Sequence, residues 1–384
     1  MVDASAAPPP LDPGAPLDAP FRAAIDRRIG DFLRRQSSEL VDFRPEIGPL
    51  LDLTTQLLAG GKRLRPAFCA WGYVAARDLP SAGDDELDTV LTAAASLELL
   101  HASALVHDDV MDSSDTRRGA PSAHRQFETL HASDQRLGDP EPFGRAGAIL
   151  LGDLLLMWSV EMLERAGLPP ATAAATYAVA QRMRTEVTCG QYLDVAAQSH
   201  PLDAGADGDH RAVLADALAA ANRVVEYKSA RYTVYRPAQL GAALGGAEPA
   251  MLDVLAAYGS PLGRAFQFRD DLLGVFGDPA VTGKPVGDDL REGKRTVLVA
   301  HALAHSDTAG RALLARRLGE PTLDEDGVTA LQQVITDSGA REAVEGMIAT
   351  CFDEAVAALA DPSITAAGRR GLTALATAAI RRQA

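Results

Sequence analysis

The segment Leu105-Val-His-Asp-Asp-Val-Met-Asp112 carries three aspartates, Asp108, Asp109 and Asp112, on a stretch whose apolar flanks favour a helix. Residues four apart share one face of a helix, so Asp108 and Asp112 project together, whereas Asp109 lies about 100° around the axis. Carboxylates beside core-forming residues repel one another unless cations lie between them. The segment therefore predicts a site for Mg²⁺ held jointly with substrate phosphates, with a solvated acidic helix end as the alternative.

The residues around this segment weaken the alternative. One helical stripe, mostly apolar, leads directly to the carboxylates and consists of Leu97, His101, Ala104 and Asp108. Downstream, the adjacent Arg117 and Arg118 present planar donor forks that suit phosphate oxygens, although they could also simply neutralise a helix end. Metal-bridged phosphate beside arginine accounts for both clusters together.

A second acidic pair, Asp270-Asp271, follows Gln267 on another apolar segment that favours a helix. After it the chain continues through Gly283-Lys284-Pro285, a glycine-bearing loop that could close over a phosphate group. A lone Gly-Lys-Pro is common in surface loops. It indicates a phosphate-binding loop here only because it follows the acidic pair.

Basic residues are concentrated at two further places. Gly60-Gly-Lys-Arg-Leu-Arg-Pro66 places three cations around a predicted helix start, where free backbone N–H groups also favour anions. Lys228 lies on a segment otherwise suited to the core, and taken alone it would be interpreted as a lysine whose amine reaches the surface.

The composition bounds the class of protein. The chain has 384 residues, 47% of them hydrophobic, which is ample for a buried core. Its net charge of −15 argues against a general nucleic-acid binder, because phosphate backbones are met by clustered lysine and arginine. Three widely spaced cysteines, Cys69, Cys189 and Cys351, support neither a disulfide framework nor a zinc site.

The hydrophobic periodicity predicts an all-α protein, a single large helical bundle around a central cavity. Helical patterns cover roughly 22–42, 46–58, 66–77, 85–113, 145–165, 170–197, 211–243, 250–276, 296–317, 326–338, 340–360 and 364–382. Breaks are expected at 60–61, 77–84, 128–143, 199–209 and 277–293, as surface loops rather than domain linkers. Abundant alanine on these helices predicts close approach of neighbouring backbones.

The first twenty residues, 1–20, are rich in alanine, proline and aspartate and are expected to form a disordered leader before one domain at 21–384. They lack the basic start and apolar run of a secretory signal. Asp153 interrupts the most apolar stretch, so we expect no transmembrane segment and a cytoplasmic location.

Taken together, these motifs resemble the trans-isoprenyl diphosphate synthase (polyprenyl synthetase) family. In order along the chain they are GGKRLRP at 60–66, DDVMD at 108–112, RRG at 117–119, GQYLD at 190–194, KS at 228–229, FQFRDD at 266–271 and GKP at 283–285. The resemblance implies an all-helical fold, usually a homodimer, with two aspartate motifs on facing walls of a deep cavity. It also implies an enzyme that joins isopentenyl diphosphate to allylic diphosphates.

The resemblance further implies a role for each matching residue. Asp108 and Asp112 would bind Mg²⁺ that bridges to the allylic diphosphate, Asp270 would supply the opposing ligand, and Asp109 and Asp271 would assist. The allylic diphosphate would be contacted by Arg117, Lys228, Ser229, Gln267 and Lys284. Isopentenyl diphosphate would be held by Lys62, Arg65, His101 and Arg118. The sequence departs from the family pattern at Gly274, where a third aspartate is usual, and at Ser229, where threonine is common.

Product length should depend on what closes the cavity below the first motif. Ser103 and Ala104, one turn before Asp108, are small where aromatic residues resemble stops for short products. Leu100 and Leu97, deeper along the helix, could close the floor near a geranylgeranyl chain. We therefore expect a geranylgeranyl diphosphate synthase, with a farnesyl or longer-chain synthase as the alternative.

Two other classes share parts of this pattern. Class I terpene cyclases also use an aspartate-rich helix and Mg²⁺, but they lack an isopentenyl site, for which GGKRLRP is the signal here. Non-catalytic synthase subunits usually have lost the first aspartate motif, which this chain keeps whole.

Overall fold

A computed structural model describes residues 11–81, 84–117, 119–199, 210–279, 286–320 and 322–381. Helices form nearly all the regular structure in these ranges, which confirms the all-α prediction. The first helices are α1 (Ala19–Glu39), α2 (Arg44–Leu58), α3 (Leu64–Ala76), α4 (Asp85–Met111), α5 (Ala123–Ser133) and α6 (Pro140–Glu164). They are followed by α7 (Pro170–Gln198), α8 (His210–Val224), a π-helix (Val225–Tyr235), α9 (Arg236–Leu244) and α10 (Pro249–Phe276).

The C-terminal part continues the bundle with shorter helices. They are α11 (Asp288–Arg291), α12 (Val297–His305), α13 (Thr308–Arg317), α14 (Glu325–Asp337), α15 (Ala340–Ala358) and α16 (Ala366–Ile380). A 3₁₀ turn, Val41–Phe43, links α1 to α2, and a small antiparallel hairpin pairs β1 (Thr116–Arg117) with β2 (Ala120–Pro121). The hairpin follows α4 directly and brings Arg117 back towards the end of that helix.

Local signals in the sequence fix where helices begin. The side chain of Asp18 accepts a hydrogen bond from the backbone N–H of Phe21 and caps α1, and Asp324 caps α14 in the same way. Asp85 and Glu86 place negative charge in the first turn of α4, where the helix dipole favours it. The long helix α4 therefore starts at a defined residue and delivers its aspartates at the other end.

Helix α3 lies at the centre of the bundle, with Phe68, Trp71 and Tyr73 fully buried. It packs against α4, α9 and α16. Small residues allow this close packing, because a Cβ atom on Gly72 would lie only 2.1 Å from the carbonyl oxygen of Ala238 on α9. This contact is an instance of the close backbone approach that the alanine-rich composition predicts.

Several predicted boundaries are wrong. The predicted helix over 211–243 is interrupted by the π-helix, and the one over 296–317 is two helices, α12 and α13. The predicted loop at 128–143 includes the end of α5, which the sequence analysis missed, and the start of α6. Residues 200–209, in the predicted break at 199–209, lie outside the described residues.

The predicted disordered leader, 1–20, is described by the structure only from residue 11 onwards. Residues 1–10 lie outside the described part, but Leu11 is buried in the main core and α1 begins at Ala19. Disorder through residue 20 is therefore a wrong prediction for the second half of this segment, because its apolar side chains find a place on the bundle.

Two described helices, α4 and α6, are long and apolar enough to cross a membrane on length and composition alone. The expectation that Asp153 excludes such a stretch is wrong by that measure. The most apolar window of α4 is 72% buried inside the protein, and that of α6 is 44% buried. Core helices meet the same test, so the finding for α4 carries little weight, whereas α6 leaves an apolar face uncovered.

Candidate active site

A single cavity of about 1250 Å³ opens between α3, α4, α7, the π-helix and α10. Asp108 on α4 and Asp270 on α10 both line it, so the two aspartate motifs share one hollow. The lining is mixed and includes both charged side chains and apolar ones such as Val187 and Phe266.

The first aspartate motif occupies the last turn of α4. Asp108 faces the cavity, where its Oδ1 accepts hydrogen bonds at 2.9 Å from both Gln191 Nε2 and Lys228 Nζ. Burial raises the pKa of Asp108, but the nearby cations, Lys228 foremost, outweigh it and hold the pKa below its ordinary value. Asp108 is therefore a carboxylate ready to bind a cation.

Asp109 points to the other side of the helix, as the helical spacing predicts. It is 3% exposed, and Arg117 donates to its Oδ1 from Nε at 2.8 Å and also from Nη2. Arg117 Nη2 lies 3.5 Å from Asp108 Oδ2 as well, and Arg117 lines the cavity. Asp109 thus holds Arg117 in place and is not part of the cavity lining.

Asp112 is the C-cap of α4, and its backbone N–H donates to Asp108 O at 2.8 Å. Its Oδ2 lies 3.7 Å from Lys294 Nζ and accepts no hydrogen bond within the described part of the chain. Burial, together with the negative charge of Asp108, raises the pKa of Asp112 to about 6. A buried carboxylate oxygen without a donor is the kind of group that a cation would satisfy.

The second aspartate motif lies on α10. Asp270 and Asp271 both line the cavity, although Asp271 is only 3% exposed and accepts a 2.7 Å hydrogen bond from Gln267 Nε2. Burial raises the pKa of Asp271 to about 8, and the neighbouring Asp289 and Asp270 add to the shift. Its Oδ2 likewise has no hydrogen-bond donor among the described residues.

These oxygens suit a hard divalent cation, which prefers carboxylate ligands completed by water and phosphate. No three described His, Cys, Asp or Glu side chains converge closely enough to hold a metal ion by themselves. The donor set therefore fits a cation whose coordination a substrate diphosphate completes, and the assignment of Asp108, Asp112, Asp270 and Asp271 as ligands stays a prediction.

Lys228 connects the π-helix to the first aspartate motif. Besides Asp108, its Nζ donates to Asp194 Oδ2 at 2.6 Å. Burial lowers the pKa of Lys228, but Asp108 and Asp194 outweigh it, so the pKa lies above its ordinary value. Lys228 is therefore a fixed cation in the cavity wall rather than a surface lysine.

The π-helix is held between two glycine faces. A Cβ on Gly190 of α7 would lie 2.3 Å from the backbone nitrogen of Lys228, and one on Gly263 of α10 would lie 2.4 Å from Ala230 Cα. Single π-bulges often occur at functional sites, and here the widened turns present two neighbouring rows to the cavity. The rows consist of Val224, Val225, Lys228, Ser229, Tyr232 and Thr233.

A second basic group lies at the α3 end of the cavity. Arg65 Nη2 donates to Thr233 Oγ1 at 3.0 Å, and its guanidinium lies 4.3 Å from the centre of the Tyr232 ring. His101 Nδ1 lies 3.2 Å from the hydroxyl of the same tyrosine, and Lys62 also lines the cavity. The structure thus brings Lys62, Arg65 and His101 together, as predicted.

The sequence analysis missed several residues of this site. Lys294 lies 2.5 Å from Glu292 Oε2 and 3.6 Å from Asp289 Oδ1, on the same side as Asp112. Burial lowers the pKa of Lys294, but these carboxylates outweigh it and hold the pKa well above its ordinary value. The clearest signal for Lys294 in the sequence was its place in Gly293-Lys294-Arg295, shortly after the acidic pair Asp288-Asp289. Gln191 and Asp194 lie in the quoted GQYLD motif but received no individual role, and Tyr232 and Thr233 were missed because nothing in the sequence near Lys228 marks them.

Two predicted residues, Arg118 and Lys284, lie outside the described residues. Of the predicted product-length residues, Ala104 lines the cavity. Ser103, Leu100 and Leu97 are each 3% exposed and are absent from the lining. The cavity therefore reaches Ala104, and the two leucines lie in the packed core along the same helix.

Comparison with known proteins agrees with this geometry. Residues 49–335 match the model of the polyprenyl synthetase family. A geranylgeranyl pyrophosphate synthase from Corynebacterium glutamicum, solved in complex with isoprenyl diphosphate and magnesium, is 39% identical, with 97% of this chain and 100% of that chain covered and a TM-score of 0.87.

Curated relatives with different products are also similar. A (2E,6E)-farnesyl diphosphate synthase from Mycobacterium tuberculosis is 34% identical over 284 residues, covering 73% of this chain and 68% of the relative. A geranylgeranyl diphosphate synthase from Methanosarcina mazei is 32% identical over 300 residues, covering 77% and 78%. The fold and site define a trans-prenyltransferase. The chain belongs to the polyprenyl synthetase family.

Proposed function

We propose that this enzyme condenses isopentenyl diphosphate head-to-tail with allylic diphosphates in a Mg²⁺-dependent reaction, and that its main product is geranylgeranyl diphosphate. The observation that carries the proposal is the single cavity with two separate cationic groups. Lys228 and Arg117 lie beside the aspartates, whereas Lys62 and Arg65 lie at the α3 end. Two diphosphates can therefore bind at once with their hydrocarbon parts between them.

The allylic diphosphate is assigned to the aspartate end. Its C1–O bond breaks there, and the electron pair leaves with the diphosphate, whose growing negative charge faces Lys228 and Arg117. Mg²⁺ bound to the carboxylates would supply further stabilisation of that charge. The apolar lining, which includes Val187 and Phe266, keeps water from the allylic cation.

Isopentenyl diphosphate is assigned to the α3 end, held by Lys62, Arg65 and His101. Its terminal double bond attacks the allylic carbon, a new carbon–carbon bond forms, and a proton leaves C2 for the released pyrophosphate. Because both substrates are held in the reactive orientation, the bimolecular reaction becomes effectively unimolecular. In well-oriented systems this lowers the activation barrier by about 7 to 11 kcal/mol.

The geranylgeranyl product is inferred from the lining beneath Asp108. Ala104 leaves room for chain growth past one turn of helix, which rises about 5.4 Å. Leu100 and Leu97 lie buried beyond it in the core. A small residue in the lining, with buried leucines elsewhere on the same helix, supports a product longer than farnesyl.

The test is incubation of purified enzyme with labelled isopentenyl diphosphate, Mg²⁺ and each of dimethylallyl, geranyl and farnesyl diphosphate. Chromatography of the dephosphorylated alcohols should show mainly geranylgeraniol, and omission of Mg²⁺ should abolish it. Mainly farnesol, or chains of six or more units, would contradict the proposed length. No incorporation of isopentenyl diphosphate would contradict the proposed reaction.

We also propose that two copies of this chain associate through α6 and work in the cytoplasm. The outward face of α6 exposes Ile149, Leu150 and Met157 at 44%, 61% and 59%, and Tyr192 on α7 is 73% exposed. Contiguous apolar residues on a helix face mark an interaction surface, and a self-complementary patch is the simplest way to cover it.

Light scattering after size-exclusion chromatography should give twice the chain mass, 80.8 kDa against 40.4 kDa for one chain. Leu150→Asp should give the monomer mass. Leu137→Asp is the matched control, because Leu137 is 98% exposed but lies outside this face. Enzyme in the soluble fraction after cell fractionation would support the proposed location, whereas enzyme in the membrane fraction would contradict it.

A further inference from the structure

The GGKRLRP segment supplies three cations, but the cavity uses only two of them in the proposed reaction. Lys62 is exposed in the lining, and Arg65 reaches Thr233 and Tyr232. The side chain of Arg63, in contrast, is only 3% exposed, although the residue also borders the cavity. A buried arginine between two substrate-facing cations requires a separate explanation.

The guanidinium of Arg63 binds three different elements. Its Nε donates to Asp26 Oδ1 on α1 at 2.8 Å, and Nη1 donates to Glu98 Oε2 on α4 at 2.6 Å. Its Nη2 donates to Leu58 O at the end of α2 at 2.6 Å. Because arginine offers its donors in a rigid planar fork, three such contacts fix both its position and its orientation.

The backbone at Arg63 is itself unusual. Arg63 has φ of 55° and ψ of 36°, in the left-handed region that residues with a Cβ rarely adopt. Gly60 and Gly61, with φ of 68° and 106°, bring the chain into this conformation. Such a conformation persists where the surroundings determine it, and it is often found next to binding sites.

The left-handed residue is also the N-cap of α3. It therefore sets the direction in which α3 leaves the loop, with Lys62 immediately before it and Arg65 in the first turn after it. The position of both substrate-facing cations depends on the same turn. Glu98 also lines the cavity, and the guanidinium of Arg63 forms an ion pair with its carboxylate.

We propose that Arg63, anchored by Asp26 and Glu98, is a positioning residue that orients Lys62 and Arg65 towards the diphosphate of isopentenyl diphosphate. The inference rests on the proposed function, which assigns that diphosphate to Lys62 and Arg65. The anchor should act on isopentenyl diphosphate first, since its contacts lie on α1, at the end of α2 and at Glu98, ten residues or about 15 Å before Asp108 on α4.

Asp26 allows a test that does not touch the cavity. Its side chain is 47% exposed on α1 and it is absent from the lining, so Asp26→Asn should fold normally. We expect KM for isopentenyl diphosphate to rise about three- to tenfold, because a charged hydrogen bond weakens at a partly exposed site. KM for the allylic diphosphate should stay unchanged. Asp31→Asn is the matched control, since Asp31 lies on the same helix and forms an exposed ion pair with Arg34, away from Arg63.

Arg63→Lys separates positioning from charge. Lysine keeps a cation beside Glu98 but cannot bind three elements with one planar group. We expect a rise of about ten- to a hundredfold in KM for isopentenyl diphosphate, as small misplacements can cause. Kinetics with each substrate varied in turn, alongside thermal unfolding, provide the measurement.

The proposal is overturned if Asp26→Asn and Arg63→Lys both keep the wild-type KM for isopentenyl diphosphate, or if both substrates' KM values rise equally. Lys62→Ala distinguishes this failure from that of the proposed function. If Lys62→Ala raises KM for isopentenyl diphosphate while the two anchor variants do not, only the anchor is wrong. If Lys62→Ala has no effect, the assignment of the α3 end is wrong and the anchor is wrong with it.

Discussion

Lys228 Nζ donates a 2.9 Å hydrogen bond to Asp108 Oδ1, so the π-helix and the last turn of α4 meet through a pair of opposite charges. The pair keeps a carboxylate in the cavity wall as an anion, and it places a cation where the departing diphosphate would lie. Binding of a metal ion to Asp108 would free the amine to turn towards phosphate oxygens.

The first prediction concerns this lysine. Lys228→Met should lower kcat/KM for the allylic diphosphate about ten- to a hundredfold, because one charged hydrogen bond to the leaving group is lost. KM for isopentenyl diphosphate should change little. Ser229→Ala, at the adjacent lining position, is the control and should have a much smaller effect. Steady-state kinetics with each substrate varied will decide, and equal losses for both substrates would count against the assignment.

The second prediction separates the two aspartates on α10. Asp270→Asn should lower kcat about 100- to 1000-fold and raise the Mg²⁺ concentration needed for half-maximal rate, because the cavity loses a predicted metal ligand. Asp271→Asn should cost about tenfold, since Asp271 is buried against Gln267. Mg²⁺ titrations of both variants provide the measurement. An unchanged Mg²⁺ dependence in Asp270→Asn would show that this wall does not bind metal.

The third prediction concerns product length. Ala104→Phe should shift the main alcohol from geranylgeraniol to farnesol, because the ring would fill the lining one turn below Asp108. Ala104→Ser changes the side-chain volume little and should leave the product distribution as in the wild type. Chromatography of the dephosphorylated products compares the two. A phenylalanine variant that still makes geranylgeraniol would place the floor of the cavity elsewhere.

The fourth prediction concerns the charged network behind the π-helix. Glu186 Oε1 accepts from Arg231 at 2.8 Å and from Arg236 at 2.6 Å, which ties the second half of the π-helix and the start of α9 to α7. Burial raises the pKa of Glu186, but Arg236 and Arg231 outweigh it, so the pKa lies below its ordinary value of 4.5. A lowered pKa contributes stability that is present above about pH 4.5 and is lost as the pH falls through the folded value.

Glu186→Gln should therefore unfold at a lower temperature than the wild type at pH 7, and the difference should shrink as the pH falls below about 4.5. Thermal unfolding across this range provides the measurement. Glu164→Gln is a suitable control, because Glu164 is exposed at the last residue of α6 and does not belong to this network. A constant difference at every pH would rule out the network as its cause.

The sequence predicted the elements of this site better than their connections. Spacing alone showed that Asp108 and Asp109 point apart, and the structure confirms it with Asp109 bound to Arg117. The helical class and most helix positions also followed from periodicity. Both properties depend on residues close together in the chain, which a sequence displays directly.

Contacts between distant segments could not be read in the same way. Lys294 and Asp112 form a contact although they are 182 residues apart in the sequence. Neither local sequence indicates the other residue as its partner. The π-helix was missed because its residues have ordinary helical propensity, and its close packing against Gly190 and Gly263 joins segments far apart in the chain. Arg63 was grouped with Lys62 and Arg65 as a cation at a helix start and received no role of its own, because burial is a property of the fold.

The π-helix from Val225 to Tyr235 also sets the relative position of the two proposed substrate sites. Lys228 contacts Asp108 in the first aspartate motif, and Thr233 contacts Arg65 at the α3 end. One short helical segment therefore contacts the proposed binding sites of both diphosphates. Deleting a single residue there would rotate one contact relative to the other without removing either side chain. Alignment of the reacting carbons thus depends on chain length within this segment as much as on the chemistry of its residues.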